Sequence, residues 1–198
     1  DWSSDVCSSD LYVSLDVARA NAPQIERVYS SADHGLNDTQ GLAIGPDGSM
    51  YVGGNQGQRN ANSIVIAKGL FDPATGQHTW SELARSERIP KGDVGAFNHF
   101  HPGLAIDPAG RNLFINSGSR TEHAELAEMD GLYPDLREAP ITSAILRIPT
   151  EGENIVIPTE AQALAASGFL FSDGHRNAFD LSIGPEGELF SVDNGPDW

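Results

Sequence analysis

The sequence has 198 residues, with 28 acidic and 12 basic side chains and a formal net charge of −16. This excess of negative charge disfavours nucleic acid and anionic membranes as partners. The chain has no long apolar run, so we expect no membrane-spanning segment, and its length allows a single hydrophobic core.

Residues 1–11 have the character of foreign sequence. The segment DWSSDVCSSDL is word for word the translation of a common sequencing adapter, so we exclude it from the fold as an artefact. The native domain is then residues 12–198, with 25 acidic and 12 basic side chains and a net charge of −13. Cys7, the one cysteine, falls in the artefact and indicates nothing about the redox compartment. We expect the native protein to begin upstream of Tyr12 and to continue past Trp198, as a longer chain of which this is a fragment.

One hairpin pattern occurs three times along the chain, in residues 41–52, 103–115 and 180–192. Each copy is a short alternating strand, a Pro-x-Gly turn and a second apolar strand, which predicts a β-hairpin. Proline presets the first φ of the turn, and glycine supplies the positive φ that ends it.

Further predicted strands lie between these copies: residues 63–67 with 78–83, and residues 142–148 with 153–157. Two hairpins per period make a four-stranded unit, which predicts an all-β fold, a β-propeller with about three blades in this chain. A β-sandwich ranks second, because it would not be expected to repeat one hairpin pattern at long spacing. Since closed propellers have about four to eight blades, we expect this chain alone to expose strand edges, to fold poorly and to be inactive.

Two stretches interrupt the strands. Residues 159–168 predict a short helix, with a capping-box start at Thr159 and a glycine stop at Gly168. Residues 119–139 are acidic and contain Gly131 and Pro134, which predicts a long surface loop positioned to overhang a site. We interpret the acidic side chains of this loop as a solvated face: Glu122, Glu125 and Glu128.

Residues 173–177 (DGHRN) and 193–196 (DNGP) hold the most informative side chains. Arg176 offers a rigid fork of donors that suits a carboxylate or the oxygens of a ring. Carbonyls at a Gly-Pro kink are ligands for a hard cation such as calcium. A plainer interpretation is that Arg176 pairs with an acid at a blade edge, an interaction that contributes little to stability.

Together with the hairpins, these motifs resemble the soluble quinoprotein glucose/sorbosone dehydrogenases, over nearly all of the chain after residue 11. The resemblance implies a six-bladed propeller that uses pyrroloquinoline quinone (PQQ) and Ca²⁺. It implies the oxidation of an aldose sugar at its anomeric carbon to a lactone, with electrons passed to an external acceptor. Arg176 and Asn177 would contact the quinone oxygens, the main-chain carbonyls of Gly195 and Pro196 would bind calcium, and Gln40 would contact the cofactor.

The resemblance also implies a general base five residues before the leucine that opens a hairpin, which is His99 before Leu104. Histidine is neutral near pH 7 yet basic enough to accept the proton of the anomeric hydroxyl. His101 is a rival base, since it lies on the same side of an extended strand, but the spacing favours His99.

The chain departs from the family pattern at Ala178, where proline is common, at Asn194, and at Ser119, where relatives often have aspartate. Two other functions remain open: a calcium-dependent propeller lactonase, for which Asp193 and Asn194 would supply ligands, and a non-catalytic propeller that binds glycans or protein. Because relatives of this class are usually exported, we expect a periplasmic or secreted protein. The sequence leaves the sugar, the electron acceptor and the oligomeric state open.

Overall fold

The computed structural model describes residues 9–14, 24–57, 60–91, 99, 102–128 and 134–195. These residues form an all-β structure of mainly antiparallel sheets with two short helices. Among them, neither helix has the length and apolar character needed to cross a bilayer.

The first sheet contains the first repeat of the hairpin. Four strands that follow one another form an antiparallel meander: β3 (Thr39–Ile44), β4 (Met50–Asn55), β6 (Ile64–Asp72) and β7 (Gln77–Ser86). The turn between β3 and β4 forms as predicted, because Gly48 has a φ of 83° and the Asp47 carboxylate accepts the Ser49 N–H at 3.0 Å. The predicted pairing of residues 63–67 with 78–83 is confirmed in β6 and β7.

The second sheet repeats this meander with the strand order β13-β11-β10-β9. Its strands are β9 (Leu104–Ile106), β10 (Asn112–Ser117), β11 (Ala144–Pro149) and β13 (Leu170–Asp173). The second hairpin, β9 with β10, is confirmed.

The predicted pairing of residues 142–148 with 153–157 is wrong. β12 (Ile155–Ile157) instead joins the first sheet, parallel to β7. Gly152 and Asn154 both have positive φ, which turns the chain away from β11, and Glu87 N–H donates to the Ile157 carbonyl at 2.9 Å. Burial of Ile157 in the shared core stabilises this crossing, since a buried aliphatic side chain contributes about 1.5–3 kcal/mol.

The third hairpin pairs β14 (Ala178–Ile183) with β15 (Leu189–Asp193). Two small sheets complete the strands: β1 (Ser9–Ser14) with β2 (Gln24–Ser30), and β5 (Ala61–Asn62) with β8 (Ile89–Pro90). The last three residues of the adapter-like segment therefore belong to β1. The helices are α1 (Ser31–His34) and α2 (Ala161–Ser167). The predicted helix is confirmed in α2, although its N-cap is Glu160 rather than Thr159.

The hydrophobic core lies between the successive units. The largest cluster joins the two meanders and contains Ile64, Ile66, Leu83, Leu113, Ile115, Leu146 and Ile148. A second cluster joins the second meander to the third hairpin and contains Ala105, Phe114, Ile145, Ala178 and Leu181. β9 accordingly lies beside both β3 and β14.

Two glycines of the repeat make this close approach possible. A Cβ on Gly41 would lie 1.9 Å from the Pro102 carbonyl oxygen, and one on Gly103 would lie 3.0 Å from that of Phe179. A side chain at either position would force the backbones of neighbouring units apart, so the glycine that starts the first two hairpins is a packing requirement. The third repeat has Asp180 at the matching position.

Candidate functional site

The loop between β13 and β14 carries the Arg-Asn pair. Gly174, with a φ of 85°, turns the chain after β13. The carboxylate of Asp193, at the end of β15, then accepts the backbone N–H of Arg176 at 3.1 Å and that of Asn177 at 2.6 Å. Asn194 N–H donates to the Asn177 carbonyl at 3.0 Å. Asp193 and Asn194 therefore serve first to fix the backbone of this loop.

The guanidinium of Arg176 turns back toward the acidic loop. It contacts the Glu122 carboxylate through Nη2, and it donates to the carbonyls of Glu122 and Asn194 at 3.3 and 3.1 Å. The side chain is 13% exposed. An arginine has five N–H donors, so two of them have no acceptor in the described part of the chain. The plainer interpretation is therefore correct in that Arg176 pairs with an acid, but the pair is largely buried.

His99 lies on the other side of the same carboxylate. Its imidazole Nε2 is 3.5 Å from Glu122 Oε2, and the residue is buried. His99 N–H donates to the Ser119 carbonyl at 3.0 Å, and Ser119 N–H donates to the Arg176 carbonyl at 2.7 Å. The backbone of residue 119 thus bridges the predicted base and the predicted quinone-contacting arginine, and Glu122 joins their side chains.

Glu122 was missed as a site residue. Its expected place on a solvated face is wrong, because its side chain is only 15% exposed. Glu125 also departs from that expectation: its carboxylate accepts the N–H groups of Glu122 and His123 at 3.1 and 2.6 Å. Burial alone would raise the pKa of Glu125, but these backbone hydrogen bonds outweigh it, and the pKa is lowered. The sequence holds no local signal that separates Glu122 from the neighbouring acidic residues Glu125 and Glu128.

Asn177 contributes an unsatisfied polar atom to the site. The residue is 3% exposed, and its carboxamide Oδ1 is buried without a hydrogen-bond partner among the described residues. An unsatisfied buried acceptor costs about 1–3 kcal/mol. A ligand that donates a hydrogen bond here would recover that cost.

Of the remaining predicted residues, the structure describes Gln40 and Gly195. Gln40 lies on the wall of a cavity of about 430 Å³ where the three hairpins meet, together with Leu42, Leu104, Phe179 and Asp180. Gly195 is exposed in the loop after β15, next to Asn194. Pro196 and the rival base His101 lie outside the described residues.

The fit of the expected cofactors can be tested on these atoms. The two remaining N–H groups of Arg176 and the amide Nδ2 of Asn177 can donate to the oxygens of a quinone. The unsatisfied Oδ1 of Asn177 is an acceptor and would instead need a donor on the cofactor. The charge of Arg176, in contrast, is already balanced by Glu122. In the described part of the chain, three or more His, Cys, Asp or Glu side chains nowhere converge on a possible metal position, so calcium would depend on main-chain carbonyls such as that of Gly195.

For a lactonase metal centre, Asp193 and Asn194 would have to supply side-chain ligands. Each carboxylate oxygen of Asp193 already accepts a backbone N–H, which ties this side chain to the loop of Arg176 and Asn177.

Comparison with models of protein families and with curated proteins finds no match to this chain.

Proposed function

We propose that this protein oxidises an aldose sugar at its anomeric carbon to a lactone, with PQQ and Ca²⁺ as cofactors and an external electron acceptor. One observation carries the proposal: His99 and Arg176, selected from separate motifs, meet at a single buried carboxylate, that of Glu122. A base, a fixed cation and a carboxylate that orients both are the groups such a reaction requires.

We also propose that the two four-stranded meanders are blades of a β-propeller, six-bladed in the complete protein, with the third hairpin opening the next blade. Three features support this: each meander is antiparallel, with only the short strands β5 and β12 between its members along the chain, the same hairpin opens each unit, and β9 lies beside both β3 and β14. Inner strands packed side by side around an axis are the arrangement of a propeller.

In the proposed reaction, His99 accepts the proton of the anomeric hydroxyl as the C–H bond of that carbon breaks. PQQ, when bound, supplies the acceptor for the hydride. Arg176 and Asn177, through their N–H donors, would contact its quinone oxygens, and the charge of Arg176 would favour negative charge there. Gly195 and Pro196 would supply main-chain carbonyls to calcium. Gln40, in the cavity where the hairpins meet, would make a further contact with the cofactor.

The test uses the protein expressed from its complete gene without residues 1–11. Dye reduction by a panel of aldoses is measured with PQQ and Ca²⁺, and then with each omitted in turn. We expect activity that requires both. A folded protein that binds Ca²⁺ but neither binds PQQ nor reduces the dye would overturn the proposal and leave a hydrolase or a binding module.

A matched pair of variants locates the activity. Arg176→Gln should weaken PQQ binding by about tenfold or more, because a charge-assisted hydrogen bond contributes about 1.5–3 kcal/mol. Arg88→Gln is the control, since Arg88 is an exposed arginine away from the cluster. We further propose export to the periplasm or the medium, which fractionation of the source cells would test.

A further inference from the structure

We infer that Glu122 is a positioning residue for His99: its carboxylate lies beside both the imidazole and the Arg176 guanidinium and stabilises the charge that His99 gains on accepting a proton. The catalytic part of this inference rests on the proposed function. The geometric part does not, because Glu122 Oε2 lies 3.5 Å from His99 Nε2 and in contact with Arg176 Nη2.

The backbone that carries the Glu122 carboxylate is anchored. The Glu122 N–H donates to the Glu125 carboxylate at 3.1 Å, and the Glu122 main-chain carbonyl accepts from Arg176 Nε at 3.3 Å. The two preceding residues are also anchored, since the backbone N–H groups of Arg120 and Thr121 donate to the Glu138 carboxylate at 2.7 and 2.9 Å. Because the backbone of Glu122 is held by these hydrogen bonds, its carboxylate need not be ordered before it can orient its partners. A preorganised site requires groups fixed in this way.

The charges of the cluster favour proton uptake by His99. With a neutral imidazole, Glu122 and Arg176 sum to zero, and protonation of His99 brings the cluster to one positive charge. Without Glu122, the same step would place a second positive charge beside Arg176. Glu122 is thus more favourable to the protonated state of His99 than to the neutral one, and only such a difference accelerates a reaction.

Three variants test the inference in the complete protein. Glu122→Gln removes the charge, Glu122→Asp keeps it on a shorter side chain, and Glu128→Gln removes a charge from an exposed position of the same loop. We expect Glu122→Gln to lower kcat about tenfold or more with little change in KM. Glu122→Asp should recover part of the loss, and Glu128→Gln should leave kcat unchanged.

A second measurement is independent of catalysis. The ring ¹⁵N resonances of His99 are recorded in the cofactor-free protein and assigned with His99→Gln. Glu122→Gln should move them, whereas Glu128→Gln should not; if Glu122→Gln does not fold, Glu122→Asp takes its place. Unmoved resonances overturn the inference, as does an unchanged kcat in an active protein. Moved resonances in a protein without PQQ-dependent activity support the positioning role and reject the proposed function.

Discussion

Arg120 lies in the loop of residues 119–139 and Arg176 contacts the same loop, but the surroundings of the two arginines differ. Arg120 is fully buried, and its guanidinium donates to main-chain carbonyls: those of Pro90, Lys91, Ala127, Leu136 and Arg137. Arg176 keeps 13% of its side chain exposed and contacts a carboxylate. Both arginines have polar surroundings, but they differ in how many of their N–H donors already have acceptors in the protein.

The number of N–H donors that already have acceptors distinguishes a structural arginine from a ligand-binding one. All five N–H groups of Arg120 have acceptors, so a ligand could bind there only by displacing the protein's own carbonyls. Arg176 makes three donor contacts in the part of the chain that the structure describes, which leaves two of its N–H groups for a ligand. Beside it, the buried Oδ1 of Asn177 has no partner there; an unsatisfied buried atom needs an explanation, and a bound ligand supplies one. We therefore assign Arg120 to the architecture of the loop and Arg176 to the site.

The largest expected effect comes from comparing Arg120→Met with Arg176→Met. Methionine keeps much of the side-chain volume but none of the donors. Arg120→Met leaves several buried carbonyls unsatisfied and should lower the free energy of unfolding by about 3 kcal/mol or more. Arg176→Met should cost about 1–2 kcal/mol, because Glu122 can recover part of its solvation. Urea unfolding measures both; equal losses would remove the distinction between the two arginines.

A smaller change tests how the two regions are joined. Gly118 lies between β10 and the loop, and a Cβ on it would stand 2.0 Å from the His99 carbonyl oxygen and 2.7 Å from His99 Cβ. Gly118→Ala must therefore displace His99, at a cost of about 1–3 kcal/mol, and should move its ring resonances. Gly57→Ala is the control, since a Cβ there would meet the flexible end of Lys91 at 3.3 Å and the Asn62 Oδ1 at an ordinary contact distance of 3.7 Å. A Gly118→Ala protein with unchanged stability and unmoved His99 resonances would contradict this packing.

Much of this fold follows from local sequence. The three Pro-x-Gly turns, the β6–β7 hairpin and the helix ending at Gly168 depend on turn and cap residues that act within a few positions. The crossing of β12 does not: Ile155 to Ile157 would suit either sheet, and the choice is made by the open edge of β7 and the core beneath it.

The site likewise contains residues that the sequence predicts and one that it does not. His99 and Arg176 could be selected from motifs and spacing, but Glu122 could not, because an acidic residue in a polar loop has the same sequence pattern whether it is solvated or buried. Its burial depends on Arg120 and Glu138, which anchor the loop by long-range hydrogen bonds. The role of Gly41 and Gly103 likewise becomes clear only when the neighbouring backbones are in place.

The smallest expected effect is that of changing Asp107, whose carboxylate accepts its hydrogen bonds from residues of its own turn. Asp107 accepts the Arg111 N–H at 2.7 Å and the Asn112 carboxamide at 2.6 Å. Burial alone would raise its pKa, but these hydrogen bonds outweigh burial and lower the pKa below its ordinary value of 3.8. A lowered pKa contributes stability that is complete above the unfolded-state value and is lost as the pH falls through the folded-state value. Asp107→Asn should therefore cost about 1 kcal/mol or less at pH 7.

That cost should persist at pH 5 and shrink below about pH 4, where the carboxylate of the unfolded chain is protonated. Asp135→Asn, at an exposed position, is the control and should cost little at any of these values. A penalty for Asp107→Asn that grows as the pH falls would contradict the sign. Because no ligand is needed to satisfy Asp107, its penalty should be the same with and without PQQ, whereas the penalty for Arg176→Met should rise when PQQ is present, since a ligand stabilises only the protein that binds it.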